Sequence, residues 1–177
     1  ANNGIYTSNA TLTINGGDIK GNRSGCHVIY NWNANVTING GNINAGLLGW
    51  GGQFVVNGGI FASKLNASYL ANGFKAIEKN GLYYVVAEDI EIVASETELQ
   101  NALAAGSSVL LYEDINVSKL DLTALTNDVV IDANGKTITT NSNYGVQVKA
   151  GKNITLKNAK VEITVDGNYI TYAAGLK

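Results

Sequence analysis

Leu12-Thr13-Ile14-Asn15-Gly16-Gly17 returns as Val36-Thr37-Ile38-Asn39-Gly40-Gly41, and again as Phe54-Val55-Val56-Asn57-Gly58-Gly59. Each copy ends a short apolar run on Asn-Gly-Gly, and each is followed by one more apolar residue: Ile19, Ile43 and Phe61. Strand, tight turn, strand is therefore written three times, with the step from Gly16 to Gly40 longer than the step from Gly40 to Gly58. A unit this small cannot bury an apolar face by itself, but stacked units can, and such repetition is the mark of a solenoid. Alternation along each run turns Leu12 and Ile14 inward and Thr11 and Thr13 outward. The repeats then align as the columns Leu12/Val36/Phe54, Ile14/Ile38/Val56 and Ile19/Ile43/Phe61. The reading is an all-β chain built as a β-solenoid.

Ile5, Val28-Ile29-Tyr30 and Leu47-Leu48 supply the remaining sides of these coils, although Ile29 and Tyr30 cannot both point inward. In the third copy Ile60 stands where Asp18 and Asn42 stand in the first two, as expected where something covers the last coil. Residues 64–87 read as that cover. Ser68 to Gly73 reads as one helical turn stopped by Asn72-Gly73. Phe74 to Lys79 and Leu82 to Ala87 flank Asn80-Gly81, a strong hairpin signal. A hairpin there shields strand edges that would otherwise invite aggregation.

Charge returns at Glu88-Asp89-Ile90-Glu91, and the chain restarts. Ser95 and Glu98 form a capping box. Leu99, Ala102 and Leu103 make one apolar stripe, and Gly106 ends the helix. Beyond it Val109/Leu111, Ile115/Val117 and Val146/Val148 read as strands, and the pairs 129/154, 131/156 and 138/163 share one common step. The expected organisation is a first β-helix segment over 1–63, a hairpin cap and linker over 64–93, and a second segment over 94–177 opened by a helix over 95–105. Alternation continues through Ile163, Val165 and Ile170 with no second cap by Lys177, so a longer natural chain or a neighbouring chain is expected at that end.

Composition bounds the function. The chain has 177 residues, 21 Gly, 24 Asn and no Pro or Met. Gly and Asn tolerate positive φ, so many tight turns are expected. A net charge of −2 and the single arginine, Arg23, argue against a nucleic-acid partner. No apolar run approaches the roughly 18 residues that span a bilayer, and no leader pattern opens the chain. Ala1 and the lack of Met point to a processed chain or a piece of a longer one. Cys26 is alone, so no internal disulfide is available.

Ser95–Gly106, followed by Val109-Leu110-Leu111-Tyr112-Glu113-Asp114-Ile115 and then Val129-Val130-Ile131-Asp132-Ala133-Asn134-Gly135-Lys136-Thr137-Ile138, resembles the opening of pectate-lyase-like right-handed parallel β-helices. In that family a short amphipathic helix caps the first coil. Asn57-Gly58-Gly59-Ile60-Phe61, with Tyr69 to Phe74 and Tyr83-Tyr84-Val85-Val86, is similar to the closing module of β-helix repeats in surface proteins of gut bacteria and in fibres and decoration proteins of their phages. The resemblance implies right-handed coils and an extracellular setting, on a bacterial cell surface or a phage virion. It does not fix an activity, because this fold carries lyases, hydrolases, adhesins and virion parts.

Enzymes of that family imply clustered acidic residues. Here Arg23 has only Asp18 nearby in sequence, and the predicted Asp18/Asn42 stack holds one carboxylate where a glycosidase needs two. Asp128, Asp132 and Asp166 are the remaining candidates. Asp132 stacks on Lys157 and reads as a surface ion pair. Cys26 and His27 are strand neighbours on opposite faces, and with no second His neither a nucleophile pair nor a His-based metal site is expected. Cys26 reads as a small core residue. No cofactor is expected.

Tyr6, Tyr30, Trp32 and Trp50 fall in the charge-poor half. Flat aromatics on a solenoid side stack on sugar rings or fill coil corners and subunit interfaces. Trp32, Trp50 and Tyr30 are the candidate carbohydrate-binding residues, with Trp50, flanked by Gly49, Gly51 and Gly52, expected in an exposed loop. The leading expectation is a non-catalytic structural or adhesive module facing host-surface or cell-wall glycans, as a homo-oligomer or attached to a larger fibre or particle. Alternatives are a polysaccharide lyase or glycoside hydrolase and a pure carbohydrate-binding module. An aromatic stripe exposed along one face would favour the binder.

Overall fold

The computed structural model describes residues 4–21, 27–123, 125–141, 146–148 and 152–163. Arg23, Cys26, Val165, Asp166 and Ile170 lie outside them. The described chain is mostly β, and it divides into two compact units, Ala1–Glu88 and Asp89–Lys177.

In the first unit the chain visits three parallel sheets in rotation. The first circuit is β1 (Ile5–Ser8), β2 (Thr11–Ile14) and β3 (Asp18–Ile19). The second is β4 (His27–Trp32), β5 (Asn35–Ile38) and β6 (Asn42–Ile43), and the third β7 (Gly46–Trp50), β8 (Gln53–Val56) and β9 (Gly59–Phe61). The sheets are β1-β4-β7, β2-β5-β8 and β3-β6-β9, the last extended by a hairpin. The expected columns form in register: Leu12↔Val36↔Phe54, Ile14↔Ile38↔Val56 and Ile19↔Ile43↔Phe61. Inward residues of all three sheets, including Ile29, Ile38, Ile43, Val56 and Phe61, make one core. Each large side chain so buried contributes about 1.5–3 kcal/mol.

The unequal repeat steps have a single origin. Ile19 and Ile29 are ten positions apart where their stacked partners Ile43 and Leu47 are four apart. The difference of six accounts for the whole contrast between the step from Gly16 to Gly40 and the step from Gly40 to Gly58. The Asn-Gly-Gly turns explain themselves too. Gly17, Gly41 and Gly59 take φ of 92°, 104° and 112°, and a Cβ on Gly41 would lie 2.7 Å from the Gly17 carbonyl oxygen. The asparagines form a ladder: Asn39 Nδ2 donates to Asn15 Oδ1 and Asn57 Nδ2 to Asn39 Oδ1, both at 2.8 Å.

Three expectations about this unit need correction or completion. The helical turn is a 3₁₀ turn over Ala67–Tyr69, not one running to Asn72-Gly73, because Leu70 becomes extended to bridge to Val56. Ile29 is the inward residue and Tyr30 the outward one, and a register shift between His27 and Ile29 lets Val28 be buried as well. Trp50 closes strand β7 and is not in a loop. The hairpin forms at the expected residues, β10 (Phe74–Lys79) and β11 (Leu82–Ala87), with Asn80 and Gly81 both at positive φ. Its strand β11 pairs antiparallel with β9, at the edge of the third circuit.

The second unit begins with β12 (Ile90–Val93), a paired strand where a linker was expected. The helix α1 (Glu96–Ala104) follows. Ser95 Oγ accepts from the Glu98 N–H, and Glu98 Oε2 reaches back to accept from the Ala94 N–H at 2.7 Å. At the other end Gly106 N–H donates to Leu103 O and Ser107 N–H to Ala102 O, a Schellman closure. Leu99, Ala102 and Leu103 are buried as the stripe predicts.

Then come β13 (Ser108–Leu111), β14 (Ile115–Val117) and β15 (Leu120–Leu122), β16 (Val129–Asp132), β17 (Thr137–Thr140) and β18 (Val146–Val148), and β19 (Ile154–Lys157) with β20 (Lys160–Ile163). They sort into parallel sheets β12-β13-β16-β19, β14-β17-β20 and β15-β18. Val129↔Ile154 and Ile131↔Leu156 keep the expected step, but Ile138 pairs with Val161 and Thr140 with Ile163. The turn after Lys157 is two residues shorter than the turn after Asp132, so the common step does not carry past the corner.

Candidate functional site

The strands of β1-β4-β7 place the candidate aromatics together. Alternation sends Ile29 and Asn31 of β4 inward and Tyr30 and Trp32 outward. In-register pairing with β1 sets Tyr6 beside Tyr30 and Ser8 beside Trp32, and pairing with β7 sets Leu48 beside Tyr30 and Trp50 beside Trp32. Two columns result. The Tyr6 and Tyr30 rings stack at 5.6 Å with planes 15° apart, and the Trp32 and Trp50 rings at 6.2 Å and 16°. Tyr6, Trp32 and Trp50 are 61%, 45% and 59% exposed. The face therefore brings together Trp32, Trp50 and Tyr30, and adds Tyr6.

Polar groups border the indoles. Asn33 Nδ2 donates to Asn9 Oδ1 at 2.7 Å, and Asn9 Nδ2 donates to Ser8 Oγ at 3.1 Å. Ser8, Asn9 and Asn33 were not singled out from the sequence. The signal was present, since Asn9 and Asn33 are separated by the same step as Gly16 and Gly40. Beneath the face, Asn31 is fully buried. Its Nδ2 donates to Ala34 O at 2.9 Å and Gln53 O at 3.0 Å, and its Oδ1 accepts from Ala34 N–H at 2.9 Å. This amide fixes the corner that follows Trp32 and leads into β5, and ties it to the start of β8.

Each described acidic candidate is engaged by its own neighbours. Asp18 pairs with Asn42, whose Nδ2 donates to it at 2.8 Å, and with Lys20 at 3.5 Å. The Asn42 amide, then the Lys20 charge, hold its carboxyl below the usual range. Asp128 accepts from the Asn153 N–H and side-chain amide, and these bonds lower its pKa. Asp132 caps Asn134 N–H, accepts from Asn158 and pairs with Lys157 at 3.1 Å, so the stacked ion pair is present. Asp128 and Asp132 lie four residues apart on extended chain, about 13 Å, beyond the roughly 5–9.5 Å that glycosidase carboxylates span. Among the described residues no three His, Cys, Asp or Glu side chains are grouped to hold a metal ion. No described helix is long and apolar enough to cross a membrane.

The second unit has a cavity of about 310 Å³ between α1 and strands β14 and β15, walled by Leu99, Leu103, Val117 and Leu120 with Lys119 and Asp121. Asp121 is occupied: it accepts from the Thr123 hydroxyl at 2.6 Å and from Lys119 Nζ at 2.9 Å. The Thr123 hydroxyl, then Lys119, hold its carboxyl far below the ordinary carboxylate range. The cavity thus offers apolar walls and a neutralised ion pair.

No protein-family model matches the chain, and no curated protein or solved structure matches it.

Proposed function

We propose that this chain is a non-catalytic adhesive module, made of two short right-handed parallel β-helix segments, that binds glycans through the outer face of β1-β4-β7. The observation that carries this reading is the pair of stacked, exposed aromatic columns, Tyr6/Tyr30 and Trp32/Trp50. Aromatic ring faces bury the C–H faces of sugars, while adjoining amides and hydroxyls bind their oxygens. The β-helix assignment is supported by strands that rotate through three parallel sheets in each unit. Its right hand, and a place on a bacterial surface protein or a phage fibre, rest on the resemblance of the helix-opened second segment and the hairpin-closed first one. Coils that contact only their neighbours make such a module stiff, as a fibre or a larger particle requires.

An enzymatic reading has less support, because Asp18, Asp128 and Asp132 are each engaged in hydrogen bonds or ion pairs. The test is binding to an immobilised glycan array, followed by titration calorimetry on the glycans retained. Trp50→Ala should lower affinity about tenfold, the equivalent of about 1.4 kcal/mol. Binding that survives both Trp50→Ala and Trp32→Ala would refute the assignment to this face.

A further inference from the structure

The character of the face restricts its ligand further. Among the described residues, no Lys, Arg, Asp or Glu stands on the outward positions of β1, β4 and β7, which carry Tyr6, Ser8, Tyr30, Trp32, Leu48 and Trp50, with His27 beside Gly46 at the far end. The first circuits carry their described charges elsewhere, with Asp18 on β3 and Lys20 beside it, paired to each other. His27, the titratable group on the same sheet, lies at the opposite end of β4 from Trp32, its ring against Gly46. A polyanionic sugar would need a basic partner to replace the water lost from each carboxylate or sulfate, and among the described residues no Lys or Arg stands beside these rings.

What it supplies is neutral hydrogen bonding beside ring faces. Ser8 holds the position stacked on Trp32, so a hydroxyl and not a ring lies on that side of the indole. The Asn33–Asn9–Ser8 chain uses one N–H of each amide. It leaves the second Asn9 N–H, the Ser8 hydroxyl proton and Asn33 Oδ1 for a ligand. On the third rung no side chain continues the ladder, because Gly51 takes that place and Asn33 Oδ1 lies 3.8 Å from where its Cβ would be. Size also speaks against a protein partner. Three rungs about 4.8 Å apart and five residues of strand give roughly 200 Å², against about 800 Å² per partner in a stable protein interface.

Building on the adhesive reading, we propose that the ligand is an uncharged glycan, held by ring stacking and neutral hydrogen bonds with no ionic contribution. The test is affinity electrophoresis and calorimetry at pH 7.5 with galactomannan and xyloglucan as neutral probes, and polygalacturonate and heparin as acidic ones, each at low and high salt. The expected result is binding to a neutral probe that changes less than about twofold between 50 and 500 mM salt, falls about tenfold in Trp50→Ala, and has no counterpart with the acidic probes. Binding of acidic probes that weakens with salt would overturn the neutral assignment and leave the adhesive reading standing. Failure of every probe and of a full glycan array would overturn both. So would a concentration-dependent dimer that Trp50→Ala abolishes, since the face would then be a protein interface.

Discussion

Asn31→Ala tests the link between the buried corner and the aromatic face. The wild-type side chain is 0% exposed and makes three hydrogen bonds, two donated to Ala34 O and Gln53 O and one accepted from Ala34 N–H. The Ala34 carbonyl keeps a partner in the variant, because Gln53 N–H also donates to it at 2.9 Å. The Ala34 N–H, on a residue 3% exposed, loses its acceptor. Three bonds at about 1 kcal/mol each, with the orphaned donor and the space left behind, give a cost of about 3–5 kcal/mol. That is a large share of the roughly 5–15 kcal/mol available to a typical domain. The assay is urea denaturation followed by tryptophan fluorescence, since Trp32 and Trp50 both lie in this unit.

Asn31→Asp sharpens the same test. An ionised carboxylate there would direct an oxygen at two carbonyl oxygens, which raises the folded-state pKa above the ordinary value of about 3.9. A carboxyl with a raised folded pKa favours the folded state below its unfolded pKa and loses that advantage as pH rises toward the folded one. The deficit of Asn31→Asp against wild type should therefore be small near pH 4 and grow toward pH 7. A cost below about 1 kcal/mol for Asn31→Ala, or a deficit for Asn31→Asp that does not change with pH, would refute the reasoning.

The other predictions concern turns, caps and acid. Gly52→Ala should cost more than about 2 kcal/mol in urea denaturation, because its Cβ would fall on the Ala34 carbonyl oxygen and within 2.6 Å of Ala34 N. Gly16→Ala, with nothing within 4 Å, should be neutral or stabilising. Ser95→Ala removes the acceptor of the Glu98 N–H, and should cost about 1 kcal/mol by the same measurement followed by circular dichroism. Asp121, Asp128 and Glu96 have depressed carboxyl pKa values, caused chiefly by the Thr123 hydroxyl, the Asn153 backbone N–H and the Ser118 hydroxyl. Their stabilisation is complete above the unfolded pKa, about 4, and is lost as pH falls through the depressed values. The urea midpoint should therefore drop on acidification below about pH 4.5, and Asp121→Asn should flatten that drop.

What the sequence made legible was whatever the backbone itself repeats. Asn-Gly-Gly fixed three turns, and with them the register of Leu12, Val36 and Phe54. Asn80-Gly81 fixed the hairpin, and Ser95, Glu98 and Gly106 fixed the helix ends. These residues act through local φ and local hydrogen bonds, so a short window contains their whole cause. The errors lie where length is set by neighbours. Ile138 was aligned with Ile163 because a single step was carried through a corner whose two copies differ in length. Ile90–Val93 was read as linker because its partner, β13, lies beyond a helix. Val28 was unreadable because a register shift breaks the alternation. The aromatic columns were within reach. Tyr6 to Tyr30 repeats the step from Gly16 to Gly40, and Trp32 to Trp50 the step from Gly40 to Gly58, so the repeat arithmetic applied to outward positions finds both pairs.

That arithmetic also bears on the proposed glycan-binding patch. In β4 the inward residues Ile29 and Asn31 alternate with the outward residues Tyr30 and Trp32, so one strand serves core and surface together. A slip of one residue would bury the rings and expose the amide, which makes the register of the face as costly to disturb as the core itself. Each indole is further held by its neighbour on the next rung, and Asn31 ties the corner beyond Trp32 to β8 through Gln53 O. Stacking on a neighbour restricts each ring before any ligand arrives, which lowers the ordering cost of binding. A site on loops would lack that support, whereas the side chains proposed to meet a glycan inherit their positions from strands whose opposite faces are buried.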